Sequence, residues 1–423
     1  MPQFTEYLAR CSYMLERGVP SMDVLWYLGD DMDHKPDQRA DYMPGFNYDY
    51  CNQDALLSRL DVRRGKVVTP EGLAYRVIWW PSADVVSPET LEKMLSMVRK
   101  GAILVTTRPR DVSTLRRYDT AKFNASFAEL YGDGSSDVIE VGKGRVYLDT
   151  PIVEVLHREG CEEDVRRGEE TDWLHRRTRG ADWYFVAPKE GKGFEGTLDF
   201  RCKGEVEIWN PADGSIEPAT AVRHGDRTEV TLRMERSECR FVVFRHKLFP
   251  KRSRQTATAE SPLVNEYELS TDWTVSFPEG WGAPASVALD SLAPWKDLNM
   301  SAEGRAFSGT ATYSKTIAIE SLAKGSKYIL DLGAVEMAAR VEVNGESFEP
   351  LWTNPYSLDI TRALKAGENE LKIEVTSTWF NRLVFDAGQD ASLRKTWTIA
   401  GPSASEALRP SGLLGPVRLL ELR

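Results

Sequence analysis

The sequence predicts a multidomain protein of the α/β plus all-β class, with a doubly wound parallel sheet, a small antiparallel β-sandwich and a jelly-roll β-sandwich. Three observations carry this prediction. Short apolar runs alternate with helical patterns up to about residue 160, alternating strand patterns begin near Asp182, and further strand patterns follow at roughly ten-residue spacing to the end. A chain of 423 residues is long enough for several such domains.

The chain opens with a helical pattern over residues 3–17. Apolar side chains recur there at helical spacing, at Tyr7, Leu8, Cys11, Met14 and Leu15. Gly18 provides a C-cap, which sets residues 1–21 apart as a terminal helix. No preceding signal indicates what the helix packs against, so we expect it to leave an apolar stripe without a partner, formed by Phe4, Tyr7, Leu8 and Met14.

The parallel sheet is predicted within residues 22–181. Residues 23–29, 75–81 and 102–106 are short apolar runs typical of buried parallel strands. Asn52 is an N-cap for a helix over residues 52–60, and Ser87 followed by Pro88 opens an amphipathic helix that ends at Gly101. Strands that alternate with helices in this way indicate a doubly wound sheet.

Two all-β domains are predicted after this sheet. Residues 182–250 contain alternating strand patterns joined by turns and predict the small β-sandwich. Residues 251–263 are polar and predict a linker, and residues 264–423 predict the jelly roll. Asn344-Gly345 between two strand patterns predicts a tight hairpin in this last domain.

Composition excludes several functions. A net charge of −10 argues against nucleic acid as the main partner, because binding phosphates needs a clustered basic surface. No apolar run approaches the roughly 20 residues that a membrane-spanning helix requires. The five cysteines are widely spaced and form no CxxC, so they predict buried free thiols rather than disulfides or a zinc site.

The order of short motifs carries a family resemblance. In the last domain FSGTATY (307–313), LDLG (330–333), VNG (343–345), NPYSLDIT (354–361) and NRL (381–383) follow one another. This order resembles the sugar-binding β-sandwich attached to many glycoside hydrolases. Earlier motifs extend the resemblance to nearly the whole chain, namely DVLWYLG (23–29), PGFNYDYCN (44–52), YRVI (75–78), GAILV (101–105), HR (175–176), YFV (184–186) and WNPADG (209–214). Together they resemble the C-terminal portion of an α-L-rhamnosidase of glycoside hydrolase family 106.

The resemblance implies a fold and a setting for each domain. It implies a flavodoxin- or amidotransferase-like parallel domain and a galactose-binding-like last domain. In that family a catalytic (β/α)8 barrel precedes these domains, hydrolyses rhamnosides with inversion and requires calcium. Residues 3–17 would then be the last helix of a barrel that is otherwise missing, and the catalytic residues are unknown on this chain. Family members are commonly exported, which implies a periplasmic or extracellular location, although residues 1–18 have no signal-peptide pattern.

An acidic cluster follows the first strand of the parallel sheet. Asp30, Asp31 and Asp33 stand beside His34 at the carboxyl end of that strand, where such sheets place ligand groups. These carboxylates are candidate ligands for calcium or candidate contacts for a glycan. The alternative is a solvated acidic loop, because the spacing of a 12-residue calcium loop is absent.

A second candidate site lies in residues 44–52, which we expect to form a loop. Tyr48 could stack on the apolar face of a sugar while Asp49 and Asn52 hydrogen-bond its hydroxyl groups. The alternative is that Tyr48 and Tyr50 seal the domain against the missing barrel.

A third candidate surface lies in the last domain. Its aromatic and polar side chains are the types that bind glycans, and the candidates are Trp352, Tyr356, Trp379, Asn381, Arg382 and Asp386. The alternative is that the aromatic members belong to the sandwich core. Asp359 and Asn369 are predicted to shape turns, and His175-Arg176 is predicted to make an interdomain contact.

The sequence therefore predicts the accessory and carbohydrate-binding part of an α-L-rhamnosidase-like glycoside hydrolase, present as a truncated product or as a subunit. The main alternative is a free-standing carbohydrate-binding or scaffold protein that docks a separate catalytic barrel chain. A further alternative is an enzyme that acts through the loops at residues 30–34 and 48–52.

Overall fold

The structure is a computed structural model that describes residues 2–30, 43–246 and 262–423. The chain forms two compact units. The N-terminal unit lies within Thr5–Thr256, and the C-terminal unit lies within Ala257–Arg423 and takes in Met1–Phe4. Both units are mostly β-structure with few helices and several antiparallel sheets, which confirms the β-rich part of the predicted fold class.

The N-terminal unit contains the first five helices and 21 strands of the described chain. The helices are α1 (Pro2–Glu16), α2 (Gln53–Arg59), α3 (Pro88–Arg99), α4 (Thr120–Tyr131) and α5 (Ile152–Arg158). The strands up to the end of the parallel sheet are β1 (Val19–Pro20), β2 (Val24–Tyr27), β3 (Tyr48–Cys51), β4 (Asp61–Arg63), β5 (Lys66–Val68), β6 (Ala74–Tyr75), β7 (Val77–Trp80), β8 (Val85–Val86), β9 (Ile103–Thr106), β10 (Asp111–Val112), β11 (Val138–Val141) and β12 (Gly144–Leu148). The remaining strands are β13 (Val165–Arg166), β14 (Thr171–Arg177), β15 (Ala181–Pro188), β16 (Phe194–Phe200), β17 (Glu205–Trp209), β18 (Ile216–Pro218), β19 (Ala221–His224), β20 (Arg227–Met234) and β21 (Arg240–Arg245).

The first layer of this unit is a six-stranded sheet with the order β11-β12-β9-β7-β2-β3. All neighbours run parallel except β11, which pairs antiparallel with β12 at the edge. The predicted strands at residues 23–29, 75–81 and 102–106 are confirmed as β2, β7 and β9. Alternate residues of these strands face two cores, one under α3 and α4 and the other under α5.

The predicted helix starts are also confirmed. The Asn52 side chain accepts a hydrogen bond from the amide of Ala55 and caps α2. Ser87 accepts from the amide of Thr90, and Pro88 occupies the first position of α3. These caps satisfy amide groups that have no partner within their own helix.

One local expectation in this layer is wrong. Residues 48–51, expected in a loop, form β3, which pairs in parallel register with β2 from Val24↔Tyr48 to Tyr27↔Cys51. Parallel partners lie far apart along the chain, and the edge position leaves these side chains half-buried with no apolar alternation. The sequence pattern therefore lacks the usual strand signal.

The second layer is a small antiparallel sandwich. Its sheets have the orders β1-β14-β15-β21-β17-β18 and β13-β16-β20-β19, and a shared core lies between them. The boundary placed before Asp182 falls inside β15, after its first residue Ala181, and β15 pairs with β14 from Thr171↔Pro188 to Arg177↔Asp182. The sandwich thus includes residues on the N-terminal side of that boundary.

Helix α1 packs on the outside of this sandwich. Cys11 and Met14 are buried in one cluster with Trp183 and Phe241, and the indole of Trp183 donates to the Met14 carbonyl at 2.9 Å. The expectation of a stripe without a partner is wrong for Met14 and for half-buried Tyr7, whereas Leu8 is exposed. The sheet that covers the helix lies about 170 residues later in the chain, so nothing near the helix in sequence indicates it.

The C-terminal unit is a β-sandwich with one large core. Its strands are β22 (Leu263–Glu268), β23 (Trp273–Ser276), β24 (Ser286–Leu289), β25 (Thr310–Ile319), β26 (Lys327–Asp331), β27 (Ala334–Glu336), β28 (Ala338–Val343), β29 (Glu346–Ser347), β30 (Ser357–Asp359), β31 (Gly367–Thr376), β32 (Gly412–Gly415) and β33 (Arg418–Leu422). Its helices are α6 (Ala302–Arg305) and α7 (Phe380–Ala387), with short 3₁₀ turns at Trp295–Asp297 and Thr361–Ala363.

The sheets of this unit have the orders β24-β23-β25-β31-β28-β29 and β22-β33-β26-β30, with a short β27-β32 pair. The predicted hairpin is confirmed, since Asn344 and Gly345 both have positive φ between β28 and β29. The predicted turn roles of Asp359 and Asn369 are confirmed as well. Asp359 accepts from the amide of Thr361, and Asn369 bonds the backbone at both Lys365 and Gly367.

Candidate functional site

Asp30 lies at the carboxyl edge of the parallel sheet, where the chain leaves β2. Strand β2 pairs with β3 on one side and with β7 on the other, and the chain passes from β3 across β2 to β7. The carboxyl ends of β2 and β7 therefore form the topological switch point of the sheet. The Asp30 carboxylate accepts from the Ser87 amide at 2.6 Å, the Thr90 hydroxyl at 2.6 Å, the Gln53 side chain at 3.1 Å and the Tyr27 hydroxyl. The carboxylate therefore occupies the start of α3, where a bound anion would otherwise lie.

This arrangement bears on the predicted metal cluster. Asp31 and Asp33 lie outside the described residues, and the oxygens of Asp30 are already used by donors from four residues. Within residues 2–30, 43–246 and 262–423, no three His, Cys, Asp or Glu side chains are grouped so that they could hold a metal ion. The described donors do not fit a calcium site, and calcium binding stays a prediction.

The residues of the second predicted site separate into two roles. Tyr48 and Tyr50 are half-buried on β3 and lie 5.4 and 5.3 Å from the ring of Trp26, which itself contacts Trp79 at 4.3 Å. They belong to an aromatic cluster on one face of the sheet.

The polar members of that site have partners inside the protein. Asp49 points to the other face of the sheet and accepts from the Tyr75 hydroxyl at 2.9 Å. Asn52 is the N-cap of α2, with 3.0 Å from its side-chain oxygen to the Ala55 amide. Burial and the neighbouring Asp49 raise the pKa of Tyr75 far above its ordinary value, which keeps this hydroxyl a proton donor.

Most of the predicted glycan contacts in the C-terminal unit are buried. The Tyr356 hydroxyl donates to the Met337 carbonyl at 2.5 Å. Asn381 donates to the Arg409 carbonyl and accepts from its amide, each at 2.8 Å, and so holds the segment that leads into β32. Trp352 is half-buried, whereas 47% of the Trp379 side chain is exposed. Trp379 is the member of this set that a ligand can reach most readily.

Arg382 and Asp386 form a buried ion pair one turn apart on α7. Each is 1% exposed, and the guanidinium donates to both carboxylate oxygens, at 3.0 Å through Nε and at 2.8 Å through Nη2. Its Nη1 donates to Glu303 at 2.8 Å, and the Lys395 ammonium donates to the same Glu303 oxygen at 2.8 Å. Burial acts to raise the pKa of Asp386, but the bonds from Arg382 and Thr396 hold it below its ordinary value.

This ion pair lies directly behind exposed aromatic surface. The Arg382 guanidinium carbon is 5.4 Å from the centre of the Trp281 ring, and the Lys395 ammonium is 5.9 Å from the same ring. Trp281 in turn contacts Trp379 at 5.3 Å with the two planes tilted by 58°. Trp281, Glu303 and Lys395 are not predicted from the sequence, although an aromatic residue between Gly280 and Gly282 marks an exposed turn.

A cleft of about 500 Å³ lies beside α7. It is lined by residues of α6, of α7 including Phe385, and of the segment 404–408. Phe385 also contacts the Arg382 guanidinium, with 5.2 Å from the guanidinium carbon to the ring centre. The buried Arg382 guanidinium therefore contacts two aromatic side chains, Trp281 and Phe385.

A different ionic network lies in the N-terminal unit around His175 on β14. Its Nδ1 is 2.6 Å from Asp164, its Nε2 is 2.9 Å from Asp182, and its ring stacks on Tyr184 at 4.0 Å. Burial acts against the imidazolium, yet the two carboxylates raise the pKa of His175 to about 9. His175 is therefore a doubly hydrogen-bonded cation at neutral pH.

The network continues between the layers of the unit. Arg201, which follows β16 of the sandwich, donates to both oxygens of Asp23, which precedes β2 of the parallel sheet, at 3.0 and 2.8 Å. Arg176 caps the end of α1 by donating to the carbonyls of Glu16, Arg17 and Gly18. The contacts of His175 and Arg176 all lie within the N-terminal unit, with charge pairing as their main basis, and an interdomain role for these residues stays a prediction.

All five cysteines are free and buried, as predicted. In the part of the chain that the structure describes, no helix is both long enough and apolar enough to cross a membrane.

Residues 1–222, more than half of the 423-residue chain, match the model of the glycoside hydrolase 106 family, described as α-L-rhamnosidase. The chain belongs to this α-L-rhamnosidase family. The resemblance expected from the sequence motifs is confirmed. The matched residues run through the parallel sheet and into the small sandwich.

Two relatives extend the comparison. The structure of a rhamnosidase from Novosphingobium sp. PP1Y is 31% identical, has a TM-score of 0.72 and covers 99% of this chain, which in turn covers 41% of the rhamnosidase. A "Putative beta-glucuronidase" from Formosa agariphila is 30% identical over 275 residues, or 62% of this chain and 22% of the relative. This α-L-rhamnosidase family member therefore spans about two fifths of one relative and about one fifth of the other.

Proposed function

We propose that this chain is the C-terminal accessory and carbohydrate-binding part of an α-L-rhamnosidase-like glycoside hydrolase that acts on rhamnose-containing glycans. One observation carries the proposal. The chain aligns along 99% of its length with a rhamnosidase structure but accounts for 41% of that chain. The proposal includes a flavodoxin-like parallel domain, a galactose-binding-like last domain and a periplasmic or extracellular location.

The state of the carboxyl groups supports an accessory role. An inverting glycosidase needs a general acid whose pKa is raised, so that it is protonated at working pH, and an ionised partner about 6.5–9.5 Å away. Among the described residues, every Asp or Glu whose pKa clearly departs from its ordinary value is shifted downward, as at Asp164, Asp182, Glu303 and Asp386. Carboxyl groups held in this way are ionised partners in salt bridges, as an accessory role would require of the described part of the chain.

The accessory role is tested by affinity electrophoresis of the purified chain through gels that contain a rhamnose-containing polysaccharide. We expect retardation relative to a gel without polysaccharide, and competition by free L-rhamnose. Migration that is the same in both gels would overturn the carbohydrate-binding part of the proposal.

The alternative is a free-standing carbohydrate-binding or scaffold protein that docks a separate catalytic barrel chain. The buried salt bridges are as compatible with this scaffold role as with the accessory role, because both roles need a stable fold and neither needs catalytic residues on this chain. A catalytic barrel encoded in the same reading frame would favour the accessory role, and a barrel encoded as a separate chain that copurifies with this one would favour the scaffold.

A further inference from the structure

Trp281 and Trp379 form a surface with a defined shape. The two indoles meet at 5.3 Å with a 58° tilt, so they form a shallow angled surface rather than a flat stack. Trp281 is half-buried and Trp379 is 47% exposed. Both rings therefore combine a supported side with a side that solvent reaches.

The support behind these rings is costly to form. Removing Arg382 and Asp386 from water carries a desolvation penalty that ion pairing only partly offsets. A sandwich core does not require such a pair, since the C-terminal unit already has a large apolar core. The pair fixes the guanidinium against Trp281, and Glu303 and Lys395 extend the same network to the rim of the aromatic surface. We infer that the network positions the indoles.

The charged residues behind the two indoles have no net charge. Arg382 and Lys395 are cations, Asp386 and Glu303 are anions, and the four are joined by hydrogen bonds of 2.8 to 3.0 Å. A balanced surface offers no net attraction to an acidic sugar. It suits a neutral ligand that has one apolar face and a hydroxylated edge, which is the character of a neutral saccharide ring.

We propose that Trp281 and Trp379 form a binding platform for a neutral saccharide, with Arg382, Asp386, Glu303 and Lys395 as positioning residues. The platform rests on the proposed function, because membership of a glycoside hydrolase family is what favours a saccharide as the occupant. Its size points the same way. Two indoles match one or two sugar rings, whereas a stable protein interface buries about 800 Å² on each partner.

Other exposed apolar side chains of the C-terminal unit provide control positions for a binding experiment. Leu393, Trp397 and Ile399 are more exposed than Trp379, but none of them is a partner of the Arg382 network in the contacts described above. Trp397 therefore serves as a control tryptophan that is exposed but is not among the contacts of Arg382, Asp386, Glu303 and Lys395. Tyr267 on β22 serves as a matched control, because it is also 47% exposed and lies on a strand of the other sheet.

The experiment is calorimetric titration of the full chain with an α-L-rhamno-oligosaccharide, with a neutral gluco-oligosaccharide and with a uronic-acid oligosaccharide. We expect Trp379→Ala and Trp281→Ala to weaken binding of the neutral ligand about tenfold or more. Tyr267→Ala and Trp397→Ala should leave the affinity within about twofold, and thermal melting should confirm that each variant folds. Binding should change little between low and high salt, since the platform is neutral.

The outcomes separate this proposal from the proposed function. Binding of the rhamno-oligosaccharide that survives Trp379→Ala and Trp281→Ala overturns the platform and leaves the carbohydrate-binding role standing. Binding that Trp397→Ala abolishes, or stronger and salt-sensitive binding of the uronic acid, also overturns it. Trp379-dependent binding of the gluco-oligosaccharide alone supports the platform and contradicts the rhamnose-directed part of the proposed function. No binding of any of the three overturns the platform.

Discussion

Both units of the molecule bury an ionic network, and the two networks differ in position and in chemistry. In the N-terminal unit the charges around Asp23, Asp164, His175 and Arg201 lie between packed layers. In the C-terminal unit the charges around Arg382 lie behind exposed tryptophans. The first holds layers together, and the second positions a surface.

The cations also differ in how they titrate. The N-terminal network depends on a histidine, whose charge can be lost at moderately alkaline pH. The C-terminal network depends on Arg382, whose pKa is raised by Asp386 and Glu303 and which remains charged well above that range. Two equally buried ionic networks can therefore differ in how strongly their stability depends on pH.

The largest expected effect is that of Arg382→Met. This change keeps apolar contact with Trp281 but leaves Asp386 buried without its cation, which should cost about 3–5 kcal/mol in the free energy of unfolding. Urea denaturation followed by tryptophan fluorescence measures this cost. The matched control is Arg340→Met, because Arg340 pairs with Glu374 at 3.8 Å on the surface and should matter by less than about 1 kcal/mol. Equal losses in the two variants would contradict a positioning role for the buried pair.

The second effect is the alkaline loss of stability in the N-terminal unit. The pKa of His175 is raised from 6.5 to about 9, so its contribution is fully present below about pH 6.5 and is lost as pH rises through about 9. The full contribution is at most about 3.5 kcal/mol. Hydrogen exchange of peptides from β14 and β15 should accelerate over that range, and His175→Gln should remove this pH dependence.

Two controls sharpen the histidine measurement. His224→Gln alters an exposed histidine and should leave the alkaline change as it is. Peptides from α7 should keep their protection through pH 9, because the bonds from Asp386 and Glu303 raise the pKa of Arg382 and keep it charged there. In acid both regions should weaken, since the pKa values of Asp164, Asp182 and Asp386 are all held below their ordinary value. Loss of protection at α7 near pH 9 would contradict the chemical difference between the networks.

A smaller effect is expected from Glu303→Gln. Glu303 is partly exposed and accepts from both Arg382 and Lys395, so its neutralisation should cost about 1 kcal/mol or less. Because Lys395 then loses its anionic partner, the fluorescence of the nearby tryptophans should also shift. Glu374→Gln is the control, and a fluorescence shift of the same size in that variant would remove the link between Glu303 and the platform.

The smallest effect concerns a side chain predicted to bind glycan that the structure uses as a helix cap. Asn52→Ala should lower the free energy of unfolding by about 1 kcal/mol, because the Ala55 amide loses its acceptor. Asn52→Asp should restore most of that loss, because aspartate is an equally good cap. Weaker glycan retention in Asn52→Asp at unchanged stability would reinstate Asn52 as a ligand contact.

The sequence predicts local features of this fold well. The Ser87-Pro88 start of α3 and the Asn344-Gly345 hairpin depend on neighbouring residues, and both are present. The strand at residues 48–51 and the packing of α1 depend on partners far away in the chain, and the sequence pattern does not indicate them. Arg382 belongs with the second group. Its pairing with Asp386 depends on α7, a helix that was not predicted from the sequence, and Glu303, Lys395 and Trp281 approach it only in the folded chain.

The most direct test of the proposed accessory role is release of L-rhamnose from an aryl α-L-rhamnoside by the purified 423-residue chain, with calcium and then with a chelator. The rhamnosidase from Novosphingobium sp. PP1Y serves as the positive control. We expect no release by this chain under either condition. Turnover that Asp30→Ala or Asp49→Ala abolishes would place the chemistry on this chain and contradict the accessory role.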